Sequence, residues 1–286
     1  MLVVENGIVR AAAARNRHPI GITGFFILTF VLSWAGAAAV LLQSHATTGA
    51  GWAVANWHDG FAPLSLLMLF GPLLATIMAM IWNYGPGGVW RFVKRAFRIK
   101  FHPLLWLSVL ALPALVAAAV WPISGLTGDT ASPPALWPTV LVSAGQIGLF
   151  YLVFNTEELA WRGYALPQLQ ARLSPLGANA VLTLIWLVFH LPLFAMPSGH
   201  PAGYGILPFV FMVIPIGFIM GAVFNRAAGS VLVVHVLHQG FNAWGEAWQI
   251  FPVFTESPVQ IWVFVGLLWI PGLVAIGWLA MQRRPA

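Results

Sequence analysis

The 286-residue sequence contains no cysteine, which excludes structural disulfides, zinc–thiolate sites, iron–sulfur clusters and cysteine nucleophiles. Charge is nearly as scarce. Asp, Glu, Lys and Arg make up 7% of the chain, where a soluble domain carries about 25%. What is present instead is apolar: hydrophobic residues reach 60%, with 15 Trp and 20 Phe. The 13 basic and 7 acidic side chains cannot cover that much apolar surface in water, so the chain reads as an integral membrane protein. No internal repeat, low-complexity tract or soluble domain interrupts it. The net charge of +6 raises the question of nucleic acid, and the placement of the basic residues answers it.

A spanning helix takes roughly 20 mostly apolar residues. Such runs lie at 20–43, 61–82, 103–123, 137–156, 176–196, 206–225, 229–246 and 260–281. The first exceeds the roughly 7–15 apolar residues of a signal-peptide core and reads as a retained anchor. The seventh is short and polar, holding His235, His238, Gln239 and Asn242. Counting connections alternately from an inside N-terminus puts Arg10, Arg15 and Arg17 inside, with Arg91, Lys94, Arg95, Arg98 and Lys100. Arg162, Arg172, Arg226, Arg283 and Arg284 follow, so all 13 basic residues fall on one side. The outside connections hold Asp59, Asp129, Glu246 and Glu256 and no Lys or Arg. The positive-inside rule therefore predicts an all-α bundle of eight transmembrane helices with both termini cytoplasmic. The net charge is topology, and no nucleic-acid partner is expected. Asn83–Lys100 reads as a basic interfacial stretch, with Trp90, Phe92 and Phe97 dipping toward lipid.

Ionisable groups at membrane depth are costly and mark candidate function. They fall in three segments: Glu157-Glu158-Leu-Ala-Trp-Arg162, Trp186-Leu-Val-Phe-His190 and His238-Gln-Gly-Phe-Asn242. Glu158 and Arg162 are four apart, the favourable acid-first order for an ion pair on one helix face. Glu157 is then left without an obvious local partner, and a carboxylate in a poorly hydrated cavity suits general-base work. His238 and Asn242 also share a face and form a pair of donors of the kind a developing oxyanion needs. His190 precedes Pro192, which is expected to break the helix just after it. Together these groups suffice for peptide hydrolysis without a Ser or Cys nucleophile. Glu157 and His190 orient and deprotonate a water, His238 and Asn242 hold the oxyanion, and Glu157 passes the proton to the leaving amine.

Each residue also has a plainer reading. A buried His can simply tie helices together, and a Glu–Arg pair at helical spacing is usually structural; for Glu158 with Arg162 the structural reading leads. His235, three residues before His238, offers a weak metal-binding pair. His18, His45, His58, His102 and His200 read as incidental.

The three segments resemble the CPBP family, the CAAX protease and bacteriocin-processing intramembrane endopeptidases, also called CAAX prenyl protease 2 or lysostaphin resistance protein A-like. The resemblance rests on Glu157-Glu158-x-x-x-Arg162-Gly-Tyr-Ala-Leu-Pro, then Trp186-x-x-x-His190, then His238-x-x-x-Asn242. It implies that Glu157 and His190 activate the water, that His238 and Asn242 form the oxyanion site, and that Glu158 and Arg162 support them. The second motif often begins with Phe; here Trp186 stands there. The family was long labelled metalloprotease and is now more often described as glutamate-type. No cofactor is therefore expected, with a divalent metal such as zinc as the alternative. Residues 137–246 become the catalytic core, flanked by 1–136 with three helices and by 247–286 with the last.

The geometry raises one difficulty. At 1.5 Å per residue, His238 lies roughly 13 Å from the cytoplasmic end and His190 roughly 20 Å, while Glu157 sits at that end. These depths agree only if span five starts outside the hydrocarbon or the segment after Glu157 dips back. The implied substrate is a peptide or membrane protein, prenylated or not, met at the lipid bilayer of a prokaryotic cell membrane. A non-catalytic scaffold or bacteriocin self-immunity protein is the alternative, and a proton-coupled transporter, for which no inverted repeat speaks, comes last.

Overall fold

Each expected apolar run forms a helix in the computed structural model, which describes residues 20–48, 65–128, 137–195, 206–251 and 258–282. These are α1 (Ile22–Thr48), α2 (Ser65–Ala96), α3 (Pro103–Leu126), α4 (Trp137–Phe154), α6 (Pro175–Phe189), α7 (Ile206–Arg226), α8 (Val231–Ala247) and α9 (Pro258–Met281). Between α4 and α6 lie a π-helical turn, Leu159–Ala165, and the short α5 (Leu166–Gln170); a 3-10 turn, Leu191–Ala195, follows α6. No strand occurs among the described residues. Seven of the helices are long and apolar enough to cross a membrane, where only internally bonded backbone is tolerated. The remaining expected span, the seventh, is α8, which at 17 residues and with its polar side chains falls short of that mark. Arg10, Arg15, Arg17, Asp59, Asp129, Glu256, Arg283, Arg284, His18, His58, His200 and the His45 side chain lie outside the described residues.

The bundle is built around α8. It packs against α3, α4, α7, the π turn and part of α2, while α1 leans on α2 and α9 on α7 and α3. Small residues set the close crossings, as expected where van der Waals contact rather than hydrophobicity drives association. Gly71 lies against Ser33, Gly217 against Thr183, Gly221 against Asn179, Gly240 against Pro113 and Gly272 against Pro215. Leu115, Leu149, Val153, Leu184, Ile270 and Val274 point outward, the face such a bundle offers to acyl chains.

Hydrogen bonds gather the basic connections at one end. The Arg95 guanidinium donates to Gly163 O at 2.9 Å, and Ser230 Oγ donates to Arg98 O at 2.8 Å. Gln170 Nε2 donates to Asn225 Oδ1 at 2.9 Å, and Asn225 Nδ2 to Gln282 Oε1 at 3.0 Å. These contacts join the α2–α3, α5–α6 and α7–α8 connections and the end of α9. The basic stretch branches from its span at Gly85, whose φ of 69° is a left-handed conformation that glycine adopts without strain, and Pro86 follows; Phe92, expected to dip toward lipid with Trp90 and Phe97, is instead buried against Gly163. Glu246 sits within α8 and accepts a hydrogen bond from the Tyr151 hydroxyl. His102 caps α3, its Nδ1 accepting from Leu104 N–H at 3.3 Å.

Candidate active site

The segment that carries both glutamates owes its shape to a proline. Pro167 has no N–H to offer the carbonyl four residues back, that of Gly163. The chain answers in two ways: Arg95 donates to Gly163 O instead, and Leu166 N–H bonds Trp161 O, five residues back. That widened turn is π-helical, a form found mostly as single turns at functional sites. Every residue from 160 to 170 is buried. From Glu158, level with His238 on α8, the segment runs to Gly163 beside Arg95 and to Gln170 beside Asn225 at the basic end, so Glu157 stands inside the bundle rather than at that end.

Glu158 is fully buried beside an equally buried Arg162, and the expected pair forms at 3.0 Å. It does so across the π turn rather than along an α-helical face. The same carboxylate oxygen, Oε1, lies 3.0 Å from His238 Nδ1 on α8. A carboxylate only accepts, so His238 Nδ1 carries a proton and Nε2 is its second site. Arg162 also sits 5.0 Å over the Trp186 ring, a cation–π contact in a water-poor setting.

Glu157 is the more accessible acid, its side chain 14% exposed. Two indoles hold it: Trp161 Nε1 donates to Oε2 at 3.0 Å and Trp186 Nε1 to the same oxygen at 2.9 Å. Those bonds use both lone-pair directions of Oε2 and leave Oε1 without a donor among the described residues. His190 closes α6, where Pro192 was expected to end the helix, and its Nδ1 lies 2.7 Å from Trp186 O. A carbonyl only accepts, so the proton is on Nδ1, and Nε2 faces Glu157 Oε2 at 3.9 Å. Trp34 Nε1 bonds Phe189 O at 3.1 Å and pins the helix end that bears His190.

Trp186 is the hub of the arrangement. Its ring lies 5.3 Å from that of His190 and 5.4 Å from that of His238, edge-on to both. Asn242 stands one turn beyond His238 on α8, its amide donating to Gln239 Oε1 at 3.1 Å. Gln239 Nε2 lies 3.3 Å from His235 Nδ1, and His235 Nε2 lies 3.0 Å from Leu152 O. Both nitrogens of His235 are therefore occupied by protein groups, so it acts as a tie between α8 and α4. A catalytic zinc takes three protein ligands, and no group of three His, Asp or Glu side chains suited to a metal occurs among the described residues.

Glu157, Glu158, Arg162, His190 and His238 thus meet around one indole, and Asn242 extends the same face of α8. Sequence reasoning missed the two indole N–H donors on Glu157, the Arg95 brace and the Trp34 pin. The signal for one of them was visible: Trp186 replaces the Phe common at that position, and only Trp brings an N–H.

Residues 131–244 match the family model described as type II CAAX prenyl endopeptidase Rce1-like. Over 159 residues the chain is 25% identical to a Methanococcus maripaludis protein named CAAX prenyl protease 2, an alignment covering 51% of this chain and 58% of that relative. The chain thus spans a little over half the length of the curated relative it matches. Each likeness covers about half of this chain or less.

Proposed function

We propose that this multi-pass membrane protein, with the motif core of the CPBP/CAAX proteases in residues 131–244, is an intramembrane endopeptidase. Its substrates are peptides or membrane proteins, with CAAX-type tails as the first class to test, and its site opens on the basic, cytoplasmic side. The observation that carries the reading is the Glu157 carboxylate: one oxygen clamped by two indoles, the other without a donor among the described residues, with His190 Nε2 alongside at 3.9 Å.

A water bound by Glu157 Oε1 and His190 Nε2 attacks the scissile carbonyl carbon and gives its proton to Glu157. The carbonyl oxygen becomes an oxyanion, met by Asn242 Nδ2 and His238 Nε2–H. His238 Nδ1–H is committed to Glu158, so donation from Nε2 requires the imidazolium form. With that proton the site is electrically balanced: Glu157 and Glu158 against Arg162 and His238. Collapse of the intermediate breaks the C–N bond, and the leaving amine takes the proton from Glu157. No metal enters any step.

The test compares membrane-protein termini by mass spectrometry in host cells carrying wild type or Glu157→Gln at matched expression. New peptide ends confined to wild type support proteolysis and name the substrate. Identical termini, with a deletion phenotype that Glu157→Gln rescues, would refute it and leave a scaffold or self-immunity protein.

A further inference from the structure

The basic end of α2 does more than mark topology. Beyond the Gly85 kink, Arg91, Lys94 and Arg98 recur at intervals of three and four residues, so they project from one side of the helix and its continuation. All three are exposed, as is Lys100. The acidic side chains among the described residues, Glu157, Glu158 and Glu246, are engaged elsewhere, so none offsets these charges. Trp90, Phe97 and Ile99 stand exposed among the cations at 59, 51 and 61%, and Lys94 Nζ lies 5.0 Å over the Trp90 ring. The opposite side of the same helix is committed to protein: Phe92 and Ala96 are buried. A helix with cations and aromatics outward, at the mouth of a bilayer-spanning bundle, matches a phosphodiester headgroup with acyl chains beside it.

The buried side reaches the candidate site. Phe92 packs so closely on Gly163 that a Cβ there would stand 3.0 Å from its ring. Arg95 holds Gly163 O, the carbonyl orphaned by Pro167. The π turn bearing Arg162 therefore rests directly on this helix.

We propose that Arg91, Lys94 and Arg98 form a binding site for an anionic phospholipid headgroup, whose occupancy holds the α2 end against the π turn and sustains turnover. The binding half is independent of the proposed function; the turnover half rests on it. At roughly fivefold per cation near an anionic surface, the site prefers such a lipid over a zwitterionic one by on the order of a hundredfold.

Native mass spectrometry of the purified full chain titrated with phosphatidylglycerol or phosphatidylcholine reads the first half. Wild type retains phosphatidylglycerol selectively, and Arg91→Gln/Lys94→Gln/Arg98→Gln loses the preference. Arg91→Lys/Arg98→Lys keeps it, which separates lost charge from lost fold. Equal retention of both lipids by wild type, or an undiminished preference in the triple Gln variant, overturns the site. Proteoliposomes of phosphatidylcholine, with or without phosphatidylglycerol, read the second half by peptide cleavage: wild type is several-fold faster with the anionic lipid and the triple Gln variant is not. Equal rates for wild type in both overturn the coupling. Selective retention by a chain that cleaves nothing in either membrane would count against the protease and leave the lipid site standing.

Discussion

Trp186→Phe is the substitution most sharply tied to the geometry. It keeps an aromatic ring beside His190, His238 and Arg162 and removes one N–H from Glu157 Oε2, 2.9 Å away. A hydrogen bond to a charged acceptor contributes about 1.5–3 kcal/mol, a rate factor of roughly 10 to 150 if it is all expressed in the transition state. Trp161 still donates to the same oxygen at 3.0 Å, so the carboxylate keeps one anchor, and the expected loss is at the low end, about tenfold. The effect belongs in kcat with KM little changed, because Glu157 acts on the water rather than on substrate binding. The assay is cleavage of a quenched fluorescent peptide by purified protein, with thermal unfolding alongside. Adding Trp161→Phe to Trp186→Phe should cost more than the two single losses combined, since the second change frees the carboxylate altogether. An unchanged kcat in a folded Trp186→Phe protein would show that the indole pair does not set the base, and the reasoning would fail.

Glu158→Gln leaves Arg162 buried without its charge partner, a loss of about 3–5 kcal/mol that thermal unfolding should register as a clear fall in melting temperature. Gly221→Ala sets a methyl group on the Asn179 side chain where α6 meets α7, an overpacking worth about 1–3 kcal/mol, read as lowered thermal stability. Extended dialysis against a zinc chelator should leave cleavage intact; loss restored by added zinc would overturn the metal-free mechanism.

The helices were legible because lipid imposes a blunt rule: long apolar runs separated by one-sided charge. Even α8, short and polar, was legible as the run at 229–246 that keeps all the basic residues on one side. The pairing of Glu158 with Arg162 followed from spacing alone. What spacing could not convey was the π turn, because it arises from Pro167 and is satisfied by Arg95, a residue in a distant segment. Nor did it reveal that Glu158 also receives His238, a contact between positions 80 apart. Periodicity reports which face a residue occupies, and hydrogen-bond exchange between helices is invisible to it. The Trp186 indole shows the limit most plainly: its place in the motif is legible, and the acid that its N–H meets is not.

The centrality of α8 bears on how the protein enters the membrane. It falls short of a membrane span in length and apolar character, and it emerges from the ribosome after most of its partners. Its polar groups are met by sites already made: Leu152 O receives His235, and Glu158 receives His238. The earlier segments thus act as a template that recruits a weak insertion signal. A lesion in Glu158 or at the end of α4 should therefore surface as a biogenesis fault, with α8 left outside the bilayer and the C-terminal segment delivered to the wrong side.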